Sequence, residues 1–127
     1  MKEVIAIIRP EKTGVTKDAL AAAGFPSFTC QKVLGRGRKL MDETIAAAII
    51  EEGGAPEGKL GEALSEPTRL ISKRMFTLIV EEDDVDKLVK LLVETNQTAT
   101  PGDGKLFVLP ITESYRVRNG EKAADAY

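Results

Sequence analysis

The stretch Pro101-Gly102-Asp103-Gly104-Lys105-Leu106-Phe107-Val108-Leu109-Pro110 decides how this chain is read. Two glycines and an aspartate make a sharp turn that runs directly into a β-rich apolar strand, with a lysine at the junction. Glycine reaches φ > 0 and lets a ligand approach main-chain N–H groups with no Cβ in the way. Successive N–H groups in such a turn form an anion-binding concavity, and a neighbouring lysine adds a point charge suited to phosphate. Taken alone, Gly-Asp-Gly is as readily a β-hairpin turn. Beyond it, Arg116-Val117-Arg118 places two guanidinium groups on one face of an extended segment. That pair moves the reading toward a nucleotide polyphosphate site.

Working outward, the strand over 105–111 is the last of four. Before it, Asp83-Asp84-Val85 opens a helix in which Val85, Leu88, Val89, Leu92 and Val93 recur at i, i+3, i+4, i+7 and i+8. The acidic run Glu81 to Asp84 sits where a helix N-terminus favours negative charge, which explains it without a metal. Residues 74–80 form an apolar strand. At the other end, residues 2–8 are apolar on both faces and suit a central strand, which Arg9-Pro10 ends. Residues 13–23 read as a helix with Val15, Ala19, Leu20 and Ala23 on one face and Gly24 as its C′ stop. Phe25-Pro26 turns the chain into a strand over 28–34, and Tyr115 to Val117 reads as one more short extended piece.

The order is therefore β-α-β, a long connection, then β-α-β again. It predicts an α+β, ferredoxin-like βαββαβ sandwich: a four-stranded antiparallel sheet with two helices on one face. Such a sheet leaves its other face bare. Strands apolar on both sides imply that further copies of the chain cover it.

At 127 residues, 43% of them hydrophobic and 30% charged, the chain reads as one domain with a core of its own. A formal net charge of −2 argues against coating nucleic acid, which needs a basic footprint. Cys30 is the only cysteine, so there is no disulfide framework, and a reducing cytoplasm is the expected compartment. The opening apolar run is interrupted too early by Arg9 and Pro10 for a signal peptide, and no run approaches a membrane span. The absence of histidine removes Ser-His-Asp triads, His-assisted cysteine nucleophiles and His-ligated metals. What remains leans toward binding.

Residues 40–70 stand apart. They hold four of the eleven glycines, two Xaa-Pro pairs and several acidic side chains. Ile45, Ile49 and Ile50 with Ala46 to Ala48 suit a short helix, and the rest resists compact packing. A connection this long inside a small domain serves function or is disordered.

Four separated pieces of the chain resemble one family in register. They are Met1-Lys2-Glu3-Val4-Ile5-Ala6-Ile7-Ile8-Arg9-Pro10, Gly35-Arg36-Gly37-Arg38, Thr98 to Val108, and Arg116-Val117-Arg118-Asn119-Gly120-Glu121. Together they are similar to the P-II nitrogen-regulatory signal-transduction proteins over nearly the whole chain apart from residues 40–70. The resemblance implies a homotrimer with ATP or ADP bound in clefts between subunits. Gly102, Asp103, Gly104 and Lys105 would grip phosphates as the family's B-loop. Arg116 and Arg118 would reach them from the C-terminal loop of a neighbouring subunit. Gly35, Arg36, Gly37 and Arg38 would form the root of the effector T-loop over 40–70, with Thr29 near the adenine and Lys73 at the loop's far end.

Gly24 to Thr29, Val33 to Gly37, Lys73 to Met75 and Phe107 to Pro110 further resemble the nitrogenase-associated subgroup with an enlarged T-loop. The implied target is nitrogenase, with glutamine synthetase or a membrane transporter as other partners of this family. Neither nucleic acid nor membrane insertion is expected.

Some positions depart from the family pattern. Lys39 stands where the family has a glutamine that helps chelate Mg²⁺ and 2-oxoglutarate. An ammonium has three donors and no acceptor, so it cannot ligate a metal. Binding of 2-oxoglutarate is therefore expected to be weakened or handled differently. Residues 40–70 contain no tyrosine, so the family's uridylylation switch has no acceptor there. Ala99 replaces a frequent glycine; if its φ is positive, alanine costs roughly 1 kcal/mol. Three other readings stay open: a P-II-like regulator of a transporter or other enzyme with a different second ligand, a slow ATPase or small transferase with Asp103 as base, and a ferredoxin-like nucleic-acid binder. Asp103 more simply holds its turn. The acidic balance and the lack of an aromatic pair on a central strand count against the last.

Overall fold

A computed structural model describes residues 1–37 and 69–126. The predicted short helix around Ile45 to Ile50, the residues Arg38 and Lys39, and residues 40–68 of the predicted T-loop lie outside these. The chain divides into two units, Met1–Lys32 with Arg74–Tyr127 and Val33–Lys73.

The elements run β1 (Lys2–Ile8), α1 (Thr13–Ala22), β2 (Thr29–Gly35), β3 (Ile71–Val80), α2 (Val85–Asn96) and β4 (Gly104–Pro110). The four strands make an antiparallel sheet in the order β2-β3-β1-β4, with both helices on one face, as the element order predicts. Each β-α-β half keeps its own strands parallel but not adjacent, because a strand of the other half fits between them. β1 is thus central, paired with β3 from Lys2↔Val80 to Ile8↔Arg74 and with β4 from Lys2↔Pro110 to Ile8↔Gly104.

The pleat sorts these strands. Val4, Ala6 and Ile8 of β1 and Phe76, Leu78 and Val80 of β3 lie under the helices, at most 2% exposed, and pack with Leu20, Phe25, Leu88 and Leu92. Phe28 reaches the same cluster, its ring 5.4 Å from that of Phe76. The opposite face carries Ile5, Ile7, Met75, Ile79, Phe107 and Leu109 on neighbouring strands, and no helix of the first unit covers it. Phe107 is 42% exposed there.

Helix α1 departs from the predicted face at one position. Thr16 is fully buried and Val15 half exposed, so the inward stripe is Thr16, Ala19, Leu20 and Ala23. The reason is a polar partner. Asn96, near the end of α2, donates through Nδ2 to Thr16 Oγ1 at 3.2 Å and to the Leu92 carbonyl at 3.0 Å, while the Thr16 hydroxyl lies 3.4 Å from Asn96 Oδ1. A buried hydroxyl is stable only when paired. α1 ends as its glycine predicts: Gly24 adopts φ +87°, its N–H bonds Ala21 O, and Phe25 N–H bonds Leu20 O. α2 is led in by a 3-10 turn, Glu82–Asp84, and Asp84 makes no side-chain cap bond. The acidic run therefore acts on this helix through charge and not through a cap.

Candidate functional site

The turn after α2 is built from a network that reaches back to the end of β1. Gly102 and Gly104 take φ +95° and +122°, a region closed to most side chains. A Cβ on Gly104 would stand 2.0 Å from the Ile7 carbonyl oxygen, so glycine there is what lets β4 start against β1. Ala99 also has a positive φ, 60°, which meets the condition for strain at that position.

Asp103 holds the turn from inside. The Thr98 main-chain N–H donates to Oδ2 at 2.6 Å and the Thr98 hydroxyl donates to Oδ1. The hydroxyls of Thr98 and Thr100 share a further bond at 2.6 Å. These donors, the Thr98 side chain first, then its backbone and that of Thr100, with the Arg9 charge beside them, lower the Asp103 carboxyl from the usual 3.8 to about 2. A carboxylate so well supplied with donors is a poor proton acceptor near neutrality, which favours a structural role over that of a base.

Arg9 is the member that sequence reading missed. It sits just past β1, where it marks only a strand end in the sequence. In the fold its Nε donates to Gly102 O at 3.1 Å and one terminal nitrogen donates to Pro101 O at 2.8 Å and Thr100 Oγ1 at 3.1 Å. The same nitrogen lies 3.5 Å from Asp103 Oδ1. One planar fork thus closes over three successive turn residues and their carboxylate. The signal was indirect: pairing Ile8 with Gly104 puts residue 9 beside residues 100–103, but that register belongs to the tertiary structure.

Lys105 leaves the turn on the bare sheet face, opposite Ile7, with Nζ 5.5 Å from the centre of the Phe107 ring. Where β4 begins, Asp103, Gly104 and Leu106 join Ile8, Val89, Leu92, Val93, Asn96 and Gln97 around a cleft of about 380 Å³ that Lys105 also borders.

The C-terminal arginines lie in a turn and not in the predicted extended segment. Arg116 N–H bonds Glu121 O, Gly120 N–H bonds Arg116 O, and Tyr115 bridges Lys122 across the loop. Period-2 alternation therefore does not set where Arg116 and Arg118 point. One terminal nitrogen of Arg116 contacts both carboxylate oxygens of Asp125, at 3.2 and 3.0 Å. Arg118 is exposed and makes no hydrogen bond or ion pair among the described residues. Thr29, at the start of β2, is also exposed. Gly35 ends β2 and Arg36 and Gly37 follow it; a Cβ at either glycine would meet nothing within 4 Å. Their small size thus answers no packing need among the described residues. Lys73 lies within β3. Among the described residues no cluster of acidic or cysteine side chains could hold a metal ion, and no helix is long and apolar enough to cross a membrane.

Comparison with known proteins covers almost the entire length. The family model for nitrogen regulatory protein P-II matches residues 1–121. The chain is 40% identical over 128 residues to the nitrogen fixation nifHD region GlnB-like protein 2 of Methanothermobacter marburgensis, covering 99% of each. It is 37% identical to the nitrogen regulatory protein P-II 2 of Methanothermobacter thermautotrophicus, covering 99% of this chain and 96% of that one. In structure, a crystal form of Arabidopsis thaliana PII bound to citrate superposes with a TM-score of 0.66 at 24% identity, over 97% of this chain and 85% of that one.

Proposed function

The chain belongs to the nitrogen regulatory protein P-II family, and from that premise we propose that it is a homotrimeric cytoplasmic sensor of ATP and ADP that regulates a nitrogen-metabolism target. The nifHD-region relatives make nitrogenase the first target to test. The observation that carries this reading is the pinned turn: two glycines in the left-handed region, fixed by Arg9 and Asp103, deliver Lys105 at the start of a strand. A turn held from behind offers an anion a site that needs little reordering on binding.

In this reading Gly102, Asp103, Gly104 and Lys105 grip phosphates, and Arg116 and Arg118 serve a neighbouring subunit's nucleotide. Thr29, Gly35, Arg36, Gly37, Arg38 and Lys73 are proposed ligands on the family resemblance alone. The unexplained smallness of Gly35 and Gly37 is consistent with a ligand passing close by. Residues 40–70 act as the effector loop, and ATP and ADP shift it only by binding its states unequally. Lys39 is the candidate contact for a second ligand. Since it cannot ligate Mg²⁺, 2-oxoglutarate should bind weakly in the presence of Mg-ATP.

The protein works by binding and performs no chemistry of its own. Capture of the target in ATP against ADP, with residues 40–70 intact or replaced by a short linker, tests the regulatory role. A nucleotide-dependent capture that disappears with the loop supports it; equal capture without the loop overturns it.

A further inference from the structure

We infer that Asp125 is a built-in competitor for phosphate at Arg116, so that the C-terminal tail sets how tightly this site takes a nucleotide. The inference rests on the reading of Arg116 as a phosphate ligand.

The ion pair is not a chance meeting of two loose side chains. Ala123, two residues before the aspartate, is buried, and its N–H donates to Ser114 O at 2.8 Å. Ala126, directly after it, donates its N–H to Glu81 Oε1 at 2.7 Å. The backbone on both sides of Asp125 is therefore tied down, and its carboxylate is presented to Arg116 at 3.0 and 3.2 Å. Arg116 is itself set by main-chain bonds to Glu121 and Gly120. The backbone at both partners is fixed, so what the contact costs is the ordering of the two side chains alone.

A carboxylate and a phosphate oxygen ask the same thing of a guanidinium, namely N–H donors in a planar fork. A phosphate arriving at Arg116 either displaces Asp125 or remains beside a like charge. In both cases the apparent affinity falls with the fraction of protein whose tail is closed. The pair is half exposed, so its strength lies in the range of surface ion pairs, which corresponds to a loss of affinity of up to about five-fold. Anything that draws the tail off Glu81 and Ser114 would raise nucleotide affinity by the same factor.

Calorimetric titration of ATP and of ADP into the wild type, Asp125→Asn, Arg116→Ala and the double variant tests this. The expected result is binding tightened about two- to five-fold by Asp125→Asn, with no gain when the same change is made on Arg116→Ala. Equal or weaker binding by Asp125→Asn, or an equal gain in both backgrounds, overturns the competitor and leaves the nucleotide site standing. A wild type and an Asp125→Asn variant that both bind neither nucleotide overturn the site and the competitor together.

Discussion

At the scale of single residues, the turn after α2 carries two opposed features. Asp103 and Arg9 stabilise it, while Ala99 sits at φ 60° without glycine's freedom. Ala99→Gly is expected to raise stability by roughly 0.5–1 kcal/mol, read as a higher denaturant midpoint with an unchanged slope. Asp103 gives the turn a pH dependence of definite sign. Its carboxyl is depressed in the folded state, so its stabilising effect is complete above the unfolded value near 3.8 and is lost as pH falls toward about 2. Asp103→Asn should flatten the stability profile in that window and nowhere above it; an unchanged acid limb would contradict the network described. The two glycines and the lysine were legible in the sequence because turn chemistry is local. Arg9 was not, because its partners stand more than ninety positions away and only the β1–β4 register brings them together. The Asp125 contact was hidden for a related reason: an exposed aspartate in a tail has no pattern of its own.

At the scale of elements, hydrophobic periodicity located both helices and all four strands, but put Val15 on the inward face of α1 where the structure has Thr16. Periodicity counts apolar residues, and here the buried position is a threonine whose partner is an asparagine on another helix. Val15, apolar and correctly spaced, is left half exposed. The Thr16–Asn96 pair joins α1 to α2 and should behave as a unit. Asn96→Leu alone leaves a buried hydroxyl unpaired and is expected to cost about 1–3 kcal/mol, whereas adding Thr16→Val should recover much of that loss. A double-variant cycle by chemical denaturation reads the coupling directly; strictly additive losses would show that the pair is not the link. The Arg116 segment was misread for a different reason. Gly120 at φ +71° folds it into a closed loop, so the alternation of an extended strand never applies.

At the scale of the molecule, the βαββαβ order specified the four-stranded antiparallel sheet and the single face the helices cover, because β-α-β halves wind almost always in one hand; the strand order β2-β3-β1-β4 came from the structure. The bare face follows from the same order. Ile5, Ile7, Met75, Ile79 and Phe107 there account for the proposal that three copies share their sheets. Sedimentation should find a trimer that Ile5→Glu dissociates, since a carboxylate without a partner is costly in an apolar interface; a monomeric wild type would contradict the proposal. The central claim is narrower, that the pinned turn grips nucleotide phosphate through Lys105. Its most direct test is calorimetric titration of ATP and ADP into the wild type and Lys105→Ala. The account predicts one nucleotide per chain in the wild type and affinity weakened by about ten-fold or more without the ammonium. Equal affinity in the two proteins, or no binding to the wild type, would contradict it.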